Sequence, residues 1–80
     1  MTHTAVFSLE YATPEYAQRV ERAIAPEVGD IDDDRSQTSL SSTGRTLEIS
    51  IEARDIVALR AALNTWFSLV AVAEQAGDVV

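Results

Sequence analysis

From Ala53 to Ala76 the chain reads ARDIVALRAALNTWFSLVAVAEQA, and this stretch constrains everything else. Its apolar residues recur at helical spacing. On a wheel of about 100° per residue with Arg60 at the origin, Arg60, Asn64, Ser68 and Gln75 fill a polar wedge of roughly 80°. Leu59, Leu63, Trp66 and Val70 gather on the far side, flanked by Ile56 and Phe67. A third face holds Ala58, Ala61, Leu69, Val72 and Ala76, with Thr65 among them. These side chains are mostly small, which lets another helix approach closely. A helix with two apolar faces needs two covers. One small sheet supplies the first, and a contiguous apolar patch left over marks a contact with another protein.

The rest of the chain supplies the sheet. Thr4 to Tyr11 alternates, with Ala5, Phe7, Leu9 and Tyr11 on one face, as a half-buried strand does. Thr13-Pro14 reads as an N-cap followed by proline in the first turn, opening a helix over Pro14 to Ala25 that Pro26 ends. Its apolar face is Tyr16, Ala17, Val20, Ala23 and Ile24. Glu27 to Asp34 reads as an acidic loop and Ser36 to Ser42 as a polar strand, with a Thr43-Gly44 turn. Thr46 to Ala53 alternates most clearly, with Leu47, Ile49, Ile51 and Ala53 pointing one way. Asp55 is placed to cap the long helix, and Gly77 to stop it after Ala76. The fold class expected is α+β in the order β-α-β-β-α. A three-stranded antiparallel sheet carries two helices on one face, as a single domain over 1–80.

Size sharpens the question of the second cover. A chain of 80 residues buries only ~60% of the surface it exposes when unfolded. Without cysteine it has no disulfide to compensate, which leaves oligomerisation. The longest uncharged apolar run, Ala61 to Ala73, is interrupted by Asn64, Thr65 and Ser68 and is short of the ~20 residues of a membrane span. With no secretory leader visible, the expectation is a cytoplasmic chain and no membrane partner. Thirteen acidic residues face six basic ones, all arginine, for a net charge of −7. This excess disfavours nucleic-acid binding, which draws its affinity from cations. It fits a halophilic habitat, because at ~1 M salt the Debye length is about 3 Å and carboxylates hardly repel.

Candidate chemistry is sparse. His3 is the sole histidine and sits near the amino end, so a Ser-His-Asp set has no plausible scaffold. Asp30, Asp32, Asp33 and Asp34 suggest a cation loop. Position six from Asp30 is Arg35 rather than glycine, however, and position twelve is Ser41 rather than glutamate. The three glycines are isolated, and no phosphate-cradling loop forms. Catalytic residues, metal ligands and cofactors are therefore all read as none. Arg35, Arg45 and Arg54 flank the strands as a weak basic rim, the one candidate RNA contact.

The order and spacing of these residues resemble a known family. Arg35-Ser36, a short strand, the turn at Gly44, LEISIEA from Leu47 to Ala53 and Asp55, Leu59, Arg60 and Asn64 on one helix are similar to the small dimerising subunit of the KEOPS complex, of archaeal type. The resemblance covers nearly the whole chain. It implies a non-catalytic subunit that forms a homodimer and packs its helices on the actin-like catalytic subunit. That partner transfers threonylcarbamoyl to the adenosine beside the anticodon of tRNA, in a complex that also holds a kinase-like subunit. The second face of the long helix would then be covered by partner helices, through Ala58, Arg60, Ala61, Asn64, Leu69 and Val72. Ser68 stands where the family pattern has a basic residue, which weakens a direct tRNA contact.

Within this reading Arg60 pairs with a carboxylate, either Glu52 or one on a partner, and Asn64 bonds a neighbouring backbone carbonyl. The competing reading is a freestanding nucleic-acid-binding or protein-interaction domain, since the same element order occurs in small RNA-binding folds. It needs a basic or aromatic outer sheet face, whereas Thr46, Glu48, Ser50 and Glu52 supply a polar and acidic one. A small-molecule enzyme lacks its catalytic set.

Overall fold

The computed structural model describes residues 2–31 and 35–79. Strand β1 (His3–Glu10) leads into α1 (Pro14–Ile24), a short helix α2 (Glu27–Ile31), the hairpin β2 (Ser36–Thr43) and β3 (Thr46–Ala53), and the long α3 (Ile56–Val79). The sheet is antiparallel in the order β1-β3-β2. The last strand of the hairpin thus inserts at the centre, and its apolar face is the most complete. Leu47, Ile49 and Ile51 are fully buried, while the edge strand β2 presents Ser36, Thr38, Leu40 and Ser42 on the same side. Gly44 turns the hairpin at φ 58°, in the left-handed region that a side chain resists.

Helix starts are fixed by local chemistry. The Thr13 hydroxyl accepts from Tyr16 N at 3.1 Å, with Pro14 in the first turn. Asp55 Oδ1 accepts from Ala58 N at 2.8 Å and so opens α3. That bond, and then the charge of Arg35 at 3.7 Å, hold the Asp55 carboxyl below its ordinary value despite some opposing desolvation.

Both long helices lie on the inner face of the sheet, and one core joins all layers. Val20 and Ile24 of α1 meet Ala58, Leu59, Ala62, Trp66 and Val70 of α3 over Leu47, Ile49, Ile51 and Ala53. Trp66 is fully buried, and its indole Nε1 has no acceptor among the described residues.

Several expectations change. The segment read as an acidic loop begins as α2, and half-buried Val28 packs against the core. Asp32–Asp34, the heart of the suggested cation loop, lie outside the described residues. His3, near the amino end, is the first residue of β1, paired with Ala53 and half-buried. Gly77 does not stop α3, which continues to Val79.

The Ile56–Ala76 window is also long and apolar enough to cross a membrane by length and composition, more than the interrupted run suggested. The core helix of a globular domain shares that length and composition, and 33% of this stretch is buried inside the fold. Lifting α3 into a bilayer would strip the cover from the apolar face of β3.

Candidate functional site

The surface left over is the outward side of α3. Burial follows the wheel, with Ala58, Leu59, Ala62, Trp66 and Val70 facing inward and Leu63, Leu69 and Ala73 on the flanks. Outside lie Val57, Arg60, Ala61, Asn64, Thr65, Ser68, Ala71 and Val72. Val57 and Val72 are each more than 60% exposed, at 64% and 63%. Between them Asn64, Thr65, Ser68, Leu69 and Val72 line an open, mainly apolar shelf. Contiguous exposure of this kind on a small domain is the physical mark of a contact surface.

The sequence reading of this face needs three corrections. Ala58 is buried at 6% exposure and cannot meet a partner, because α1 packs alongside α3 and consumes that edge of the small-residue face. Leu69 is half-buried for the same reason. Ile56 and Phe67, placed over the sheet by the wheel, are about half exposed at 52% and 50%. Phe67 overhangs the sheet edge and meets Phe7 of β1 with ring centroids 4.6 Å apart.

The polar residues stand differently from expectation too. Glu52 points to the outer face of the sheet while α3 covers the inner one, so Arg60 makes no pair with it, and Arg60 is exposed. Asn64 is likewise exposed, with no carbonyl bonded. Both are left available at one edge of the shelf.

The basic rim does not assemble. Arg35 and Arg54 share the end of the sheet where Arg54 N donates to Arg35 O at 2.9 Å. Arg45 sits at the opposite hairpin end, one strand length of roughly 26 Å away, beside Glu10 at 3.4 Å. The outer sheet face carries Glu10, Glu48 and Glu52 among serine and threonine, with Val6 exposed. Among the described residues no group of three or more His, Asp or Glu side chains is placed to hold a metal ion.

One constellation was not legible in the sequence. Tyr11 and Tyr16 stack with centroids 5.1 Å apart and 13° between planes, and both hydroxyls donate to Glu74 of α3. Tyr11 reaches the carboxylate at 2.8 Å and Tyr16 the backbone carbonyl at 3.1 Å. Burial, then the bond to Glu74, raise the Tyr11 pKa well above its ordinary value. A half-buried tyrosine hydroxyl calls for a partner, but a separation of 63 residues gives no local clue to which.

Residues 4–78 match the model of the family described as "Transcription factor Pcc1". This chain belongs to the Pcc1 family. It is the family whose resemblance the sequence carries, the small KEOPS subunit. No curated protein matches the chain. Among solved structures, a chain in the "Crystal structure of binary complex Gon7-Pcc1" superposes with a TM-score of 0.86, covering 96% of this chain and 94% of its own. The two are 18% identical, so the likeness is one of fold. It extends over every layer of this Pcc1-family domain, the sheet and α3 included.

Proposed function

We propose that this Pcc1-family chain is a non-catalytic, dimerising and scaffolding subunit of a KEOPS complex. There it supports threonylcarbamoyladenosine modification of tRNA by the actin-like catalytic subunit. The observation that carries the reading is the unpartnered outward side of α3, where Val57, Ala61 and Val72 stand exposed in a domain too small to cover them. Family membership supports the assembly role, and the matching fold belongs to a protein solved in a binary complex. In this reading Arg60, Ala61, Asn64 and Val72 face helices of the catalytic subunit, with Leu69 at the rim. The kinase-like subunit and tRNA are reached through that partner. The acidic surface and the dispersal of Arg35, Arg45 and Arg54 favour this indirect route to RNA. The protein works in the cytoplasm of a salt-adapted archaeon, its acid excess keeping it soluble there.

Purified chain mixed with the actin-like subunit at high salt tests the proposal by light scattering. A complex containing two copies of this chain is expected. A free monomer with no association at any salt concentration overturns it. No observation favours the freestanding nucleic-acid reading, and RNA binding by the isolated chain with a steep salt slope would reinstate it.

A further inference from the structure

The far end of α3 should not be a good helix. Between Val70, which is buried, and Ala76 the cover thins: Ala73 and Glu74 are half-buried, and Ala71, Val72, Gln75 and Ala76 are exposed. The last turn has no basic residue to meet the negative end of the helix dipole, and the sequence there supplies Glu74 and Asp78 instead. Gly77 adds the poorest helix former after proline. Yet α3 runs helical to Val79.

What this end does have is the tyrosine pair. Tyr11 leaves the end of β1 and Tyr16 lies in the first turn of α1, and the hydrogen bonds of both converge on one residue of α3. The Glu74 carbonyl has two lone pairs, so it accepts from Tyr16 without giving up its place in the helical ladder. The stacked rings hold the two hydroxyls together, so each bond helps to position the other. These two side-chain hydrogen bonds tie α3 beyond Val70 to the end of β1 and the start of α1.

We infer that Tyr11 and Tyr16 form a latch on Glu74 that keeps the last turns of α3 helical, making that end a local unit that opens separately from the part backed by the sheet. Raised by burial and by Glu74, the Tyr11 pKa keeps the donating proton in place throughout the neutral range. Glu74 and Val72 stand about 200° apart around the helix, so the latch grips one side while the apolar shelf looks out from the other.

The test is backbone amide hydrogen exchange on the full chain, comparing wild type with a Tyr11→Phe, Tyr16→Phe double variant that keeps both rings. Loss of two hydrogen bonds is expected to accelerate exchange about tenfold across residues 71–79, while Leu47–Ala53 of β3 changes less than about twofold. Unchanged rates at 71–79 overturn the latch. Equal acceleration in β3 also overturns it, because the tyrosines would then support the whole domain. Should the double variant fail to fold, Tyr11→Phe alone is expected to give about a threefold acceleration confined to the same amides, and no change there overturns the inference.

Discussion

The two sides of α3 share a helix and both carry apolar residues, yet they are set by different rules. The inner side ends in large residues locked into a core, with Trp66 fully buried and Val70 at 4% exposure. The outer side carries valine and alanine in water beside Arg60 and Asn64, with nothing in the domain to cover them. The outer side mixes its apolar residues with Arg60, Asn64, Thr65 and Ser68, whereas the inner side is wholly apolar. Volume and surroundings separate them further. Bulky side chains fill the space above β3 at interior density, and small ones leave a shelf shallow enough for a second helix. A change on the inner side is therefore expected to appear as stability, and one on the outer side as assembly.

The largest effect belongs to the inner side. Trp66→Ala leaves a cavity at the centre of the core and costs about 3–5 kcal/mol in urea unfolding. That approaches the whole stability of a domain this size, on the order of 4–12 kcal/mol. A cost below ~1 kcal/mol would mean that the core is looser than its burial implies.

On the outer side, Val72→Lys should shift unfolding by no more than about 0.5 kcal/mol. The same change should weaken association with the actin-like subunit by at least about tenfold, read by calorimetric titration, because it puts a charge into an apolar contact. Loss of stability without loss of binding would reverse the roles given to the two sides.

A smaller effect sits where the sides meet, at the start of α3. The folded pKa of Asp55 is depressed, so its contribution to stability is present above 3.8 and is lost as the pH falls through the folded value. Asp55→Asn keeps a capping oxygen but removes the charge facing Arg35 and the helix dipole. The variant should unfold at lower urea than wild type at pH 7, with the gap closing progressively below pH 3.8. A gap independent of pH would assign the role of Asp55 to geometry alone.

Arg60→Ala gives the smallest change in stability, since Arg60 is exposed and has no ion pair among the described residues. It is expected to leave the melting temperature nearly unchanged and to reduce assembly several-fold, by the weight of a charge-assisted contact. Equal losses in both measurements would mark it as a structural residue.

How much was legible varies with the range of the interaction. The alternation of Thr46–Ala53, the Pro14 start and the Asp55 cap are local signals, and each element forms where its signal stands. The wheel placed Leu59, Trp66 and Val70 against the sheet correctly. It failed at Ala58 and Phe67, because a wheel knows the helix but not its neighbours. The position of α1 buries Ala58, and the width of the sheet leaves Phe67 overhanging its edge on Phe7. Gly77 is a local stop signal overruled three residues from a long-range one, the tyrosine bonds to Glu74.

By itself, then, the sequence determined the three strands and the two long helices, their order, the apolar face of the sheet and the acidic charge of the chain. All of these rest on periodicity and on residues within a few positions of one another. It also determined that α3 has more apolar surface than one sheet can bury. The tertiary structure decided that β3 lies between β1 and β2, that α1 takes one edge of α3's small-residue face, and that Arg60 stands exposed on the outward side of α3. It also decided that Tyr11 and Tyr16 meet Glu74 across a separation of about sixty residues. Each of these depends on which surfaces meet once the chain has closed, and the closing of long loops leaves no periodic trace in the sequence.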